Sequence, residues 1–179
     1  MIEITPQLSL HPISPADEQR LYAFMQRIYP PVYQHFWQDQ GQWYLNHIYG
    51  PEAFARDMAA ENAYFDFVKW EDQLIGIFRW LEDEPLIDLP DRKATKLQRI
   101  YLAPEAQGKG VGKALLNWLI ERQKRLGYQL LWLDVMEEQP PAKNFYAGLG
   151  FQETGHVFLN FELMHDNMRR MNRVYLTLD

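Results

Sequence analysis

Residues 97–112 read Leu-Gln-Arg-Ile-Tyr-Leu-Ala-Pro-Glu-Ala-Gln-Gly-Lys-Gly-Val-Gly, an apolar strand pattern that runs into a glycine-rich loop and opens an amphipathic helix. Gly108, Gly110 and Gly112 let the backbone turn tightly. They also leave N–H groups bare at a helix start, where first-turn donors have no intrahelical acceptor. Such a place binds anions. Lys109 and Lys113 sharpen the point, because cations in a first turn oppose the helix dipole unless something negative offsets them. The guest that fits is a phosphate.

The rest of the composition narrows the chemistry around that loop. The chain has 179 residues, 47% hydrophobic, 23% charged and 15% aromatic, which describes one globular domain over 1–179. It has no cysteine, which excludes a thiolate nucleophile, a disulfide framework and thiol-ligated metal. The five histidines show no paired ligand spacing, so no metal site is expected. A net charge of -6 argues against a nucleic-acid surface and is compatible with a cationic substrate, with plain solubility the competing explanation. No basic segment followed by an apolar core opens the sequence, and no apolar run approaches a membrane span, so a cytoplasmic protein is expected.

The positioning elements follow from periodicity. Leu8, Leu10 and Pro12 alternate with polar neighbours as a first strand, and Ser14, Pro15 and Asp17 form the start signal of a helix carrying Leu21, Phe24, Met25 and Ile28, which Pro30-Pro31 ends. An aromatic-dense stretch with a short helix follows up to Gly50-Pro51, then a helix over 52–61. Strands over 64–70 and 74–82 read as a hairpin, 83–92 as a loop, and 94–102 as the strand feeding the glycine loop. In the next helix Val111, Leu115, Leu119 and Leu126 form the buried stripe, Glu121 and Arg125 pair on the outer face, and Gly127 ends it. A central strand over 130–135, a short helix from Pro140, a strand from Phe151, a polar loop over 162–170 and a last strand through Val174, Leu176 and Leu178 complete the chain.

Two familiar phosphate loops do not match. A Walker loop needs glycine at 107 and a hydroxyl residue at 114, where Gln107 and Ala114 stand, and a dinucleotide fingerprint needs glycine or alanine where Lys113 stands. The string Gln107-Gly108-Lys109-Gly110-Val111-Gly112 instead resembles the Gln/Arg-x-x-Gly-x-Gly/Ala loop of the GNAT superfamily of N-acetyltransferases. The flanks agree: Ile100-Tyr101-Leu102-Ala103-Pro104-Glu105 is similar to the family's strand before the loop, and Asn144-Phe145-Tyr146-Ala147-Gly148-Leu149-Gly150-Phe151 to its later helix and turn. Within the family, the Arg99-Ile100-Tyr101 strand and the carboxy-terminal loop ending in a short strand resemble the bacterial PaiA-like polyamine acetyltransferases.

The resemblance implies an α/β (α+β) GNAT fold: a mixed, mostly antiparallel, twisted sheet of six to seven strands, splayed at the cofactor site, with helices on both faces. It implies that Gln107, Gly108, Lys109, Gly110, Val111, Gly112 and Lys113 grip the pyrophosphate of acetyl-CoA, and that Ile100, Tyr101 and Leu102 bond its pantetheine arm. A primary amine of a small molecule then attacks the acetyl carbonyl directly, without a covalent acyl-enzyme. Tyr146 matches the family's proton donor to the departing sulfur, with packing under the sheet as the competing reading. Gln139 stands where the family commonly has a cofactor-bonding asparagine, and Asn144 is either its substitute or a helix-surface amide. Relatives carry a glutamate at positions matching Lys96 or Gln98, and neither is a carboxylate here. Asp134 and Glu137 are the nearest replacements as general base, through ordered water, against a strand-end cap and a solvated loop charge. The aromatic segment 29–49 corresponds in order to the family's substrate arm, where Tyr and Trp faces hold an ammonium at ~0.5–2 kcal/mol each, or simply pack. A peptide or protein amine as acceptor, a non-catalytic acyl-CoA sensor, and a homodimer all stay open.

Overall fold

The computed structural model describes residues 1–178. Among them eight strands and six α-helices follow one another: β1 (Ile2–Glu3), β2 (Leu8–Pro12), α1 (Glu18–Ile28), α2 (Pro30–Tyr33), α3 (Gln42–Tyr49), α4 (Pro51–Ala59), β3 (Ala63–Trp70), β4 (Gln73–Leu81), β5 (Ala94–Leu102), α5 (Val111–Arg125), β6 (Leu130–Met136), α6 (Pro140–Gly148), β7 (Gln152–Phe158) and β8 (Arg170–Thr177). The strands lie in one sheet in the order β1-β2-β3-β4-β5-β6-β8-β7. The strand beyond the expected six to seven is β1, whose two residues pair with Leu10 and Ser9 and are too few to show a period.

The sheet is mixed. β1–β2, β2–β3, β6–β8 and β7–β8 are antiparallel, and β5–β6 is parallel. The parallel ladder joins Ala94, Thr95 and Lys96 to Leu130, Leu131 and Trp132, whereas β6 pairs with β8 from Leu130 to Met136. Packing divides the chain into two compact units, residues 1–79 with 99–116, and 80–98 with 117 onward, so β4, β5 and α5 each contribute to both. No helix is long and apolar enough to cross a membrane among the described residues.

In the first unit the Ser14 N–H and hydroxyl both donate to Asp17 Oδ2, at 2.9 and 2.7 Å, and close the predicted capping box. One 3-10 turn, Pro15–Asp17, precedes α1, whose Leu21, Phe24, Met25 and Ile28 are buried as expected. Pro30 does more than end α1: a first helical position suits proline, and α2 begins there. Most of the aromatic segment packs in the core, with Tyr33 and Trp43 half-buried. Tyr29 stacks between Tyr33 (4.7 Å) and Tyr44 (4.5 Å) and accepts a hydrogen bond from Trp37 Nε1 (3.0 Å). Tyr29, Phe36, Trp37, Tyr44 and Tyr49 are all buried. Burial disfavours the phenolate, and it pushes the Tyr33 hydroxyl up to about 12.

Two charged groups in this unit escaped sequence reading. Asp57 of α4 lies between two guanidiniums, with Arg79 Nη2 3.2 Å from Oδ1 and Arg99 Nη1 2.5 Å from Oδ2. Both arginines also stand over the Phe65 ring at 5.6 Å. Asp66 of β3 is 3% exposed, and its Oδ1 has no hydrogen-bond partner among the described residues. Burial raises its carboxyl to about 6. The folded state therefore keeps a proton that the unfolded chain releases near pH 4, so stability falls as pH rises from about 4 to 6 and the full penalty applies above that. Asp66→Asn is expected to stabilise the protein at pH 8 by on the order of 2–3 kcal/mol and to change little at pH 4.5. Melting curves of both proteins across that range check this, and a gap independent of pH would contradict it.

In the second unit α5 corrects two expectations. Leu126 is 48% exposed because the helix stops at Arg125, and Leu116 joins Val111, Leu115 and Leu119 among the buried residues. Arg125 Nε donates to the backbone carbonyl of Glu121 at 3.3 Å rather than to its carboxylate. Gln123 is fully buried yet satisfied: its Oε1 accepts from Thr95 Oγ1 (3.1 Å) and its Nε2 donates to Glu82 (3.0 Å). The 83–92 loop is irregular as expected, and Leu86 anchors it against Ala94, Leu130 and Trp132.

Candidate active site

The glycine loop belongs to the first unit. Ala103 N–H bonds the Ile75 carbonyl at 2.8 Å, a 3-10 turn spans Pro104–Ala106, and Gln107 N–H closes on the Pro104 carbonyl at 3.0 Å. Gly108 (φ 74°) and Gly110 (φ 70°) occupy the left-handed region, and a Cβ built on either would meet nothing within 4 Å. Conformation, not crowding, demands glycine here, and the loop's outer side is open. The helical ladder resumes with Ala114 N–H on the Gly110 carbonyl (3.0 Å), so the N–H groups of Val111, Gly112 and Lys113 precede the first helical bond of α5, an arrangement that suits an anion. Lys109 Nζ lies 5.3 Å from the centre of the Trp70 ring, and Lys113 is exposed. Nearby, Arg27 Nη1 bonds Glu105 Oε1 at 2.6 Å. The loop's own backbone N–H and this guanidinium hold the Glu105 carboxyl below its usual range. Positive backbone, two lysines and open space together fit a pyrophosphate.

Ile100, Tyr101 and Leu102 form the end of β5. The Tyr101 hydroxyl is paired with that of Tyr44 at 2.9 Å, which leaves the main chain as its contribution to any ligand. A Cβ on Gly76 of β4 would come within 2.6 Å of Leu102 Cδ2 and 2.7 Å of the Tyr101 carbonyl oxygen. Only glycine lets β4 pass this segment of β5 so closely.

The proposed acid and bases lie in the second unit. Tyr146 is buried on α6, with its ring edge-on to Phe145 (5.2 Å) and Phe151 (5.6 Å). Gly150, at φ 90°, turns the chain so that Phe151 packs back on Tyr146. Tyr146 and Asn144 line a groove with Val135, Asn172 and Val174. In the β6–β8 ladder Val135 pairs with Asn172 and Leu133 with Val174, so the groove lies on that face of the sheet. Asp134 pairs with Arg173 one residue along and points to the opposite face. There Asp134 Oδ2 accepts from Lys96 Nζ (3.0 Å) and Oδ1 from Arg173 Nε (3.1 Å), with both cations over the Trp132 ring at 4.2 and 5.3 Å. Lys96 of β5 thus holds the carboxylate of the next strand.

Glu137 sits at the groove's rim. Its carboxylate accepts from Lys143 Nζ (2.8 Å) and from the Asn172 amide, and these bonds, the lysine's first, hold its carboxyl below the usual range. Gln139 caps α6, its backbone carbonyl accepting from Lys143 N–H at 3.1 Å. The structure therefore brings Tyr146, Asn144 and, through Lys143 and Asn172, Glu137 to one groove, and sets Asp134 on the other face. Sequence reading missed Arg173 and Asn172, and it noted Lys96 only as a missing carboxylate, not as the partner of Asp134. The one available signal was a charged residue alternating with apolar ones in β8.

A strand that ends in a left-handed glycine loop, with bare first-turn donors in the helix that follows, suits a phosphate-bearing ligand, and a tyrosine-bearing helix comes after the next strand. The pattern of the acetyltransferase (GNAT) family matches residues 21–151, and the chain belongs to that family. It is an N-acetyltransferase whose acetyl donor is acetyl-CoA. An uncharacterized N-acetyltransferase of Lactobacillus delbrueckii subsp. lactis is 28% identical over 117 residues, 65% of this chain and 68% of that protein. The spermidine N(1)-acetyltransferase of Vibrio cholerae is 32% identical over 79 residues, 44% of this chain and 45% of that protein. Among solved structures, the Vibrio cholerae spermidine N-acetyltransferase in complex with CoA and spermine superposes with a TM-score of 0.68 at 20% identity, covering 97% of each chain, a likeness of fold.

Proposed function

We propose that the chain transfers acetyl from acetyl-CoA to a primary amine of a small molecule, and that polyamines are its substrate class. The observation that carries the donor half is the open loop at Gly108 and Gly110 leading into α5. The acceptor half is supported by the likeness to a spermidine N(1)-acetyltransferase. In this reading Gln107 to Lys113 hold the pyrophosphate, the main chain of Ile100, Tyr101 and Leu102 aligns the pantetheine arm, and the amides of Gln139 and Asn144 complete the contact. The Tyr146 phenol supplies a proton to the departing sulfur.

Both carboxylates offered as base are engaged, Asp134 by Lys96 and Arg173, Glu137 by Lys143 and Asn172. The acceptor ammonium therefore loses its proton to solvent, with Asp134 or Glu137 acting at most through a water. Turnover should accordingly climb with pH toward the acceptor's own pKa. Thiol release from acetyl-CoA, measured with spermidine, short diamines, peptide amino termini and peptide lysines, tests the proposal. Stimulation by the small amines above the peptides supports it. A preference for peptides favours the protein-acetylating alternative, and release by none of them leaves an acyl-CoA sensor.

A further inference from the structure

Asp57, Arg79, Arg99 and Tyr49 form a cluster that acetyl transfer does not use. They come from α4, β4, β5 and the end of α3, and all belong to the first unit. Among the described residues Asp57 is the carboxylate that both guanidiniums pair with, Arg79 on Oδ1 and Arg99 on Oδ2, so both of its oxygens are taken. One carboxylate against two guanidiniums leaves a positive charge in excess, and Arg79 stays charged at neutral pH although burial pulls it down to about 10. The surroundings are apolar. The Phe65 ring lies 5.6 Å from each guanidinium and the Tyr49 ring 5.3 Å from that of Arg99, and such rings attract a cation without neutralising it.

Two donors of the cluster are unspent. Arg79 Nε and the Tyr49 hydroxyl have no hydrogen-bond partner among the described residues, on residues that are 2% and 1% exposed. The Tyr44 ring meets that of Tyr49 edge-on at 6.2 Å, but its hydroxyl is paired with that of Tyr101. Burial first, and then Tyr44, drives the Tyr49 hydroxyl well above its ordinary value, which keeps it a neutral donor, while Arg99 pulls it down and Asp57 pushes it up. It therefore lies within the field of both charges. Buried polar groups left without a partner commonly hold a water or an ion. A water would satisfy the donors and leave the excess charge, which is costly in apolar surroundings. An anion answers both. The Asp57 and Arg99 side chains, 14% and 12% exposed, bring the cluster to the surface and give a way in.

We propose that this cluster binds one small monovalent anion of chloride's size, received by Arg79 Nε and the Tyr49 hydroxyl and balanced by the charge that Asp57 leaves uncompensated. The probe is chloride, exchanged stepwise for gluconate at constant ionic strength while the melting temperature is followed. A saturable rise of roughly 3–5 °C in chloride is expected, the shift of a ligand at about ten times its dissociation constant. Tyr49→Phe keeps the ring and removes one donor, and it should lose at least half of that rise; Arg79→Met should lose all of it. The same rise in Tyr49→Phe as in the parent protein would place the anion elsewhere, on the glycine loop or the basic surface, and would overturn the assignment. A melting temperature that does not distinguish chloride from gluconate would also overturn it, as expected if water alone fills the donors. Because the readout is stability, a failure of amine acetylation would not count against the site.

Discussion

Asp57→Ala is expected to lower the stability of the folded protein by about 3–5 kcal/mol, the range seen when one partner of a buried ion pair is removed. Arg79 is 2% exposed, and burial already pulls its guanidinium down to about 10. Its Nε has no partner among the described residues, and the Arg99 side chain is 12% exposed. Without Asp57 the two guanidiniums would share a pocket of Phe65 and Tyr49 rings with no carboxylate between them. For a chain of this length the melting temperature should drop by roughly 10 °C. Replacing Arg79 by methionine in the Asp57→Ala background should recover part of the loss, because the damage comes from an unpaired buried charge. A loss below about 1 kcal/mol in the single variant would mean that the cluster is better hydrated than its geometry implies.

Tyr146→Phe is expected to lower kcat by about 100-fold, the lower end of what a positioned general acid contributes. The ring contacts to Phe145 and Phe151 survive the change, so folding and KM for acetyl-CoA should stay close to those of the parent protein. The pH profile separates the proposed role from packing. Loss of the acid should hit hardest where the phenol is protonated and the departing thiolate most needs a proton, while a packing defect would scale the whole profile evenly. An unchanged kcat would remove Tyr146 from the chemistry.

The two variants also mark what can be read from sequence and what cannot. The glycine loop, the bounds of β5 at Ala94–Leu102 and the Ser14–Asp17 capping box were legible because each is set by residues close in sequence, through backbone conformation or local hydrogen bonds. The Asp57 cluster was not, since it joins α4 to β4 and β5 across 22 and 42 residues. Arg79 inside an apolar strand was the only hint that a partner had to exist. Lys96 and Asp134 are likewise 38 residues apart, and their pairing depends on the short parallel ladder of β5 and β6. Sequence could propose Asp134 as a base, but it could not show that two cations occupy both its oxygens. The aromatic segment had two readings because a stacking surface and a core use the same residues, and only the burial of Tyr29, Trp37 and Tyr44 separates them. Leu126 failed for a simpler reason: a helical stripe drawn one residue past the helix end leaves the buried face.

The most direct test of the account follows the acetyl group itself. In a single turnover with acetyl-labelled acetyl-CoA and spermidine, the label is expected to pass from the thioester to an amine nitrogen while no label becomes bound to the protein, as direct attack in a chain without cysteine requires. Label trapped covalently on the protein, or left on coenzyme A with every amine tried, would contradict it.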